Sequence, residues 1–398
     1  MGRIVYFSFP AHGHVNPTLP VVQALSSRGH EVFYYSTARF LDAIRITGAR
    51  FQAYSPRFAM PEQGPGAFAQ VSSTLETLLE LSCTVLEQHL EEVQALRPTH
   101  IAHDSFAPWG SLVAQALRVP AIASVPSILI SEDIVTRYGG EAESDPRLTR
   151  QWYDEFESQC RARLSRFPLP NVPSPAQLLQ TYGDLNLVYT SRAFQPAAES
   201  FEERRFRFVG PCFGLRPPAP AFPWERLDGR PLVFVSLGTV YVERPRFLAR
   251  CLEELASGPW QVVMATGGTP VGDREALPKN FVVRDFVPQI EILQRAAVFV
   301  THGGMNGVQE ALYFGVPLIL VPQGADQFWI AARAEELGAG VVLNPLGTHD
   351  GTIRAAVARV LSEPGFIAAA AHQGRLLRMA GGPVQAAEEI QRFVRASK

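Results

Sequence analysis

The chain has 398 residues, of which 46% are apolar and 19% charged, with a formal net charge of −2. That length allows two or three domains with sizeable cores, and the near balance of charge gives no electrostatic reason to expect nucleic acid or an anionic membrane as partner. No stretch approaches the ~18 uninterrupted apolar residues of a membrane span, and MGRIVYFSFP has no small-residue cleavage site, so a soluble cytoplasmic protein is expected.

RIVYFSF (3–9) reads as a first strand, followed by a loop, PAHGHV. Asn16 is expected to cap the next helix, with Pro17 at its first position, where a missing N–H costs nothing. Gly29 ends that helix and EVFYYST starts the next strand, a βαβ opening that predicts a parallel, doubly wound sheet. Residues 58–70 read as loop and 71–96 as a long amphipathic helix. THIAHD (99–104), PAIASVP and LNLVYTS (185–191) supply further strands. The polar, aromatic, proline-punctuated stretch 131–180 reads equally well as the lining of a binding cleft or as solvated surface.

Residues 210–231 contain six prolines and read as an interdomain linker. A second alternating series follows: PLVFVSLGT, a helix through LEELAS, WQVVMAT, NFVVRDFVP, AAVFVTHGG, PLILVP and closing helices. The expected organisation is therefore an N-terminal α/β domain (1–209), the linker (210–231) and a C-terminal α/β domain (232–398), whose last helices can return to the first. Two such domains facing across a cleft would turn the C-terminal ends of their strands toward a ligand. Cys83, Cys160, Cys212 and Cys251 form no CxxC pair and read as reduced, buried small hydrophobes.

The chemistry concentrates at strand ends. In THGGMNGVQEALYF (301–314), Gly303 and Gly304 keep the helix start open, where free N–H groups and the dipole favour an anion. Asn306 and Glu310 then share a face about 6 Å apart along the axis. A diphosphate beside Asn306 would bring a ribose beside Glu310. His14, between the first strand and its helix, is a candidate base near neutral pH, and Asp104 at another strand end is a candidate partner for its second nitrogen. A histidine bonded into a turn is the plainer alternative. Thr239, in SLGT, offers a hydroxyl and an amide to a phosphate. Asp326 and Gln327 suit adjacent sugar hydroxyls, although Asp326 could equally cap a helix. Phe286 and Gln289 in FVPQ could stack on a base and bond its edge, or be ordinary structure.

FVPQIEILQRAAVFVTHGGMNGVQEALYFGVPLILVPQGADQ (286–327) resembles the donor-binding signature of family 1 nucleotide-sugar glycosyltransferases. FPAHGHVNPTLPVVQALSSRGHEV, HDSF, VYTSRAFQPAAESF and VSLGT resemble the bacterial macrolide-type branch. The resemblance runs along nearly the whole chain. It implies the GT-B fold, two Rossmann-like domains, with the acceptor on the first half and a UDP-sugar donor on the second. It also implies His14 as catalytic base and Asp104 as its partner. His302, Gly304, Asn306, Gly307 and Thr239 would lie at the diphosphate, Glu310 at the ribose, Phe286, Val287 and Gln289 at the uracil, and Asp326 and Gln327 at the sugar. Phe286 stands where the family usually has Trp, and DQFWIA departs from the usual DQ followed by a small residue and Asn. The donor sugar is accordingly less defined than the nucleotide. The implied reaction is hexose transfer, with inversion, to a hydroxyl of a hydrophobic small molecule. The helix start stands in for a metal ion, so no cofactor is expected.

Two other classes are compatible with parts of the sequence. A metal hydrolase could use His12 and His14, with His100, His103 and Asp104 as further ligands. A helper protein could bind a nucleotide sugar without turnover. Phe58, Phe68, Phe106, Trp109 and Ile128 are candidates for an apolar acceptor pocket, or for core.

Overall fold

The computed structural model describes residues 1–60, 71–130, 149–215, 221–238, 244–272, 277–344 and 351–397. The chain divides into two compact units, one of Met1–Pro217 with Ala380–Lys398 and one of Pro218–Met379. The division falls inside the proline-rich stretch. No helix among the described residues is long and apolar enough to cross a membrane.

The first unit is built on a seven-stranded sheet of order β3-β2-β1-β4-β5-β6-β7. The strands are β1 (Arg3–Phe7), β2 (Glu31–Ser36), β3 (Arg50–Ala53), β4 (His100–Asp104), β5 (Ala121–Val125), β6 (Leu185–Val188) and β7 (Phe206–Phe208). Every pairing is parallel. The central strands are buried on both faces, which is why β1 and β2 read in sequence as nearly unbroken apolar runs, while β4 buries His100, His103 and Asp104 as well. One face is covered by the helices Val71–Ala95 and Pro108–Leu117, whose Leu78, Val85, Leu112 and Val113 meet Val5, Phe7 and Ile101. The other is covered by the helix His12–Ser27 together with the last helix of the chain, Gly382–Ala396. Ala386, Ala387, Ile390 and Val394 complete that layer, and Glu389 anchors the helix to Arg207 in β7 at 3.1 Å.

The first helix begins earlier than the Asn16–Pro17 signal suggests. Ala11 is its extended N-cap, and the Val15 amide already donates to Ala11 at 2.8 Å. Pro17 and Pro20 lie inside the helix, where each removes one rung of the ladder, a feature that costs about 3 kcal/mol in an isolated helix. Burial of Val15, Leu19, Val22 and Leu25 against the sheet overrides it. His14 therefore sits in the first helical turn, on an ordered backbone.

The second unit repeats the plan with six parallel strands of order β10-β9-β8-β11-β12-β13. These are β8 (Leu232–Ser236), β9 (Gln261–Ala265), β10 (Phe281–Arg284), β11 (Ala296–Thr301), β12 (Leu318–Leu320) and β13 (Gly340–Val342). The helix Met305–Tyr313 follows β11, and the helix Gln327–Glu336 follows β12. Val235, Met264, Val283, Val300 and Ile319 fill one face of the sheet against Leu248, Cys251 and Val357. All four cysteines are free and buried, as expected of small hydrophobes.

Candidate functional site

In both sheets the strand order reverses once, between β1 and β4 in the first and between β8 and β11 in the second. At such a switch the loops leave in opposite directions and open a crevice at the C-terminal strand ends. The candidate residues fall at these two places.

In the first unit, β1 and β4 run side by side with Phe7 opposite His103, so Asp104 ends β4 beside the turn that leads to His14. The His14 Nδ1 lies 3.0 Å from both Asp104 carboxylate oxygens. Asp104 is buried, its side chain 1% exposed, while His14 keeps 25% of its side chain accessible. The Phe106 amide donates to Asp104 Oδ1 at 2.8 Å and holds the carboxylate in place. A carboxylate only accepts, so Nδ1 carries the hydrogen of this pair. The imidazole rests against Phe9 and Phe106, with ring centroids 4.8 and 5.8 Å away. Phe9 was not singled out in the sequence, although an aromatic at the end of the predicted strand 3–9 was a usable signal. Behind it, Trp109 Nε1 donates to Tyr54 Oη at 3.0 Å, and Tyr54 Oη donates to the Ser8 carbonyl at 2.6 Å.

The other histidines do not join His14. The His12 ring meets Phe40 at 5.1 Å, and His100 bonds Thr99 and abuts Phe393. His103 is fully buried, and its Nδ1 donates to the Asp104 carbonyl at 3.0 Å. Burial pushes the His103 imidazole below its ordinary pKa, opposed in part by that carbonyl and by the charge of Asp104. Among the described residues no group of three or more His, Cys, Asp or Glu is placed to hold a metal ion.

In the second unit, His302 follows β11 and Gly304 is the N-cap of the helix Met305–Tyr313. The His302 ring is seated between two glycines. A Cβ on Gly238, at the end of β8, would come within 2.7 Å of it, and one on Gly304 within 2.4 Å. Neither space admits a methyl group without moving the ring. Asn306 and Gly307 lie in the first turn of that helix, half-buried, so this helix too begins before its apolar run. Glu310 is buried, and its Oε2 accepts from Gln289 Nε2 at 2.7 Å. The two residues assigned to ribose and base are thus bonded to each other. Phe286 is 62% exposed, an open aromatic face, with half-buried Val287 next to it.

Asp326 takes the N-cap position of the helix Gln327–Glu336 but makes no side-chain cap bond, so capping does not account for it. Gln327 Oε1 accepts from the Gln323 amide at 2.9 Å, which leaves its N–H₂ end as the group to offer a hydroxyl. Thr239 lies outside the described residues, as does Phe68. Of the other acceptor-pocket candidates, Phe58, Trp109 and Ile128 are core, and Phe106 alone is part-exposed, next to His14.

Residues 249–387 match the family described as erythromycin biosynthesis protein CIII-like, C-terminal domain. The NDP-glycosyltransferase YjiC of Bacillus licheniformis is 34% identical, over 98% of this chain and 98% of that protein. The demethyllactenocin mycarosyltransferase of Streptomyces fradiae is 33% identical, over 98% of this chain and 86% of that one. Among solved structures, the kitacinnamycin glycosyltransferase superposes with a TM-score of 0.84 at 28% identity, covering 98% of both chains.

Proposed function

The chain belongs to the family 1 nucleotide-sugar glycosyltransferases of GT-B fold, in the macrolide and natural-product branch, and we propose from that premise an inverting UDP-hexose transferase, with glucose as the hexose, working in the cytoplasm without a metal ion. The acceptor is a small molecule, bound in this reading by the first unit, and the nucleotide sugar is bound by the second. The observation that carries the reading is the His14–Asp104 pair at the first switch point, with one ring nitrogen held at 3.0 Å by a buried carboxylate and a quarter of the histidine side chain accessible.

In this mechanism His14 Nε2 takes the proton of an acceptor hydroxyl as its oxygen attacks the anomeric carbon. The C–O bond to the diphosphate breaks on the opposite side, which inverts the centre. Asp104 stabilises the imidazolium that forms. The departing UDP gains charge beside His302 and the amides that open the helix Met305–Tyr313, fixed dipoles that need no reorganisation. Those groups do the work a divalent cation does elsewhere. Glu310 accepts from the ribose hydroxyls, Phe286 stacks on uracil, and Asp326 with the Gln327 amide binds the hexose. The metal-hydrolase reading is not favoured, because the histidines it needs point to different neighbours.

The test is incubation of the protein with UDP-glucose and phenolic, macrolide and steroidal acceptors, with and without excess EDTA, read by mass. A hexose adduct that persists with chelator is expected. Transfer lost on chelation and restored by a divalent metal would sink the metal-free mechanism. No adduct with any acceptor would sink the UDP-glucose assignment.

A further inference from the structure

The first sheet hands the chain to the His14 helix through one turn, Ser8–Ala11, and a buried tyrosine holds that turn. The Ser8 amide donates to the Tyr35 carbonyl at 3.2 Å, and the Ser8 hydroxyl donates to the same oxygen at 2.9 Å. β1 thus stays on β2 for one residue past its end at Phe7. The Ser8 carbonyl accepts from Tyr54 Oη at 2.6 Å, and Tyr54 Oη accepts from Trp109 Nε1 at 3.0 Å. An indole N–H only donates, so of these two partners only the Ser8 carbonyl can take the hydroxyl hydrogen. Tyr54 and Trp109 are both buried. Burial pushes the Tyr54 hydroxyl well above its ordinary pKa, opposed in part by its bonds to Trp109 and Ser8, so it stays a donor.

The peptide fixed in this way is the one that aims Phe9. The Phe9 ring stacks on Trp109, with centroids 6.3 Å apart, and meets the His14 ring at 4.8 Å and the edge of Phe106 at 5.7 Å. Tyr54 lies flat on Phe58 at 4.1 Å, and Phe58 abuts Trp109 at 5.1 Å, so the aromatic group is packed from behind. The Phe9 carbonyl accepts from the Ala11 amide at 2.8 Å, and the Ala11 carbonyl accepts from the His14 and Val15 amides at 3.0 and 2.8 Å. One continuous path therefore runs from the Tyr54 hydroxyl through the Ser8–Phe9 peptide to the helical turn that carries the imidazole. The bond to Asp104 fixes one ring nitrogen and leaves the ring free to pivot about it. The face of Phe9 limits that pivot.

We propose that Tyr54 is a positioning residue for His14: its hydroxyl holds the Ser8–Phe9 peptide and so keeps Phe9 against the imidazole. The inference rests on the reading of His14 as general base given above. Tyr54 acts through Ser8 and Phe9, so its effect falls on the step that needs a proton removed and not on donor binding. Without the hydroxyl, the Ser8 carbonyl and the Trp109 N–H both lose a buried partner, a penalty the turn escapes by shifting and taking Phe9 with it. A base displaced by about 1 Å can lose up to ~100-fold in rate.

The experiment pairs two acceptors of similar shape with UDP-glucose as donor. One is 4-nitrobenzyl alcohol, which must lose its proton to a base. The other is 4-nitrophenol assayed above its own pKa, which arrives as the phenolate. Tyr54→Phe removes one oxygen and keeps the ring. Its kcat for the alcohol should fall about tenfold, while kcat for the phenolate and KM for UDP-glucose stay within about twofold of wild type. His14→Ala, measured in parallel, should shift the ratio of the two rates in the same direction and further. Trp109→Phe leaves the Tyr54–Ser8 bond but lets the hydroxyl turn, and should lose about threefold on the alcohol alone. It decides if Tyr54→Phe does not fold. Equal losses on both acceptors would make Tyr54 a structural residue only and overturn the proposal, as would an unchanged kcat for the alcohol. A wild-type ratio in His14→Ala, or wild-type protein that glucosylates neither acceptor, overturns the reading of His14 as base in a glucosyltransferase, and the inference with it.

Discussion

The two units share one topology, and the proposed function assigns them opposite chemistry. Each is a parallel sheet with a single reversal of strand order, and each keeps its candidate site at that reversal. At the first reversal the polar atoms are side chains, His14 on a helical turn and Asp104 buried beneath it, walled by Phe9 and Phe106. At the second they are largely backbone: the opening turn of the helix Met305–Tyr313 and glycines that seat His302. A proton must be taken from a neutral hydroxyl, and that needs one basic atom with a tuned partner. A diphosphate must be held and its new charge stabilised, and that needs several weak donors pointing at one place. The fold supplies the location, and the residues at the strand ends decide the chemistry.

The largest effect that separates the two sites is expected from His14→Ala. Transfer should fall by about 100- to 10,000-fold, the usual worth of a general base, while UDP affinity by calorimetry stays within about twofold. Near-normal turnover of a weakly acidic alcohol by this variant would remove His14 from the mechanism. Asp104→Asn should lose somewhat less.

The complementary lesion is Gly304→Ala, which drives a methyl group into the His302 ring. The displaced ring no longer meets the diphosphate, and the loss of one charge-assisted bond should lower UDP affinity by about tenfold or more. Unchanged UDP affinity in a folded variant would mean that the seated imidazole does not serve the diphosphate.

A smaller change is expected from Glu310→Ala. A carboxylate facing a ribose accepts from two hydroxyls, and the loss of one charge-assisted bond is worth about tenfold. Wild-type protein should therefore prefer UDP-glucose to dTDP-glucose by roughly that factor, and the variant should bring the ratio toward one. An identical ratio of catalytic efficiencies in both proteins would assign Glu310 to holding Gln289 alone.

The smallest effect concerns stability. Burial keeps the His103 imidazole below its unfolded pKa of about 6.5, so the folded state favours the neutral form. Its contribution is fully present above about pH 6.5 and is lost as the pH falls toward the lower folded-state value. The melting temperature of His103→Gln should therefore decline less steeply than that of wild type between pH 7 and 5, by on the order of a few degrees. Parallel curves would show that His103 does not carry that pH dependence.

Much of this was legible in the sequence, because central strands of parallel sheets are apolar on both faces and their glycine-bearing ends are chemically specific. RIVYF, HIAHD, LVFVS and AAVFVT announce themselves, and HGGMNGVQE announces a glycine-opened helix start after β11. The edge strands β3, β7 and β13 did not announce themselves. They are three or four residues long, and RFQA and FRF carry the polar residues that a strand with only one neighbour tolerates. The first helix starts before Pro17, which has the look of a first position, because Ala11 is the extended N-cap and buried Val15 anchors the opening turn. The Gln289–Glu310 bond and the Tyr54–Ser8 bond were invisible, since a partner far away in sequence follows no period. Core burial of Phe58, Trp109 and Ile128 was an open alternative that only packing could decide.

The return of Gly382–Ala396 to the first unit also fixes an order of assembly. On the ribosome the entire second unit emerges before the helix that completes the first. Until then the layer around Ile4, Val22 and Leu25 lacks the cover of Ala387 and Ile390. At bacterial synthesis rates that interval is on the order of ten seconds or more, long enough to invite aggregation or a chaperone. The earliest part of the chain to be made is the last to be sealed.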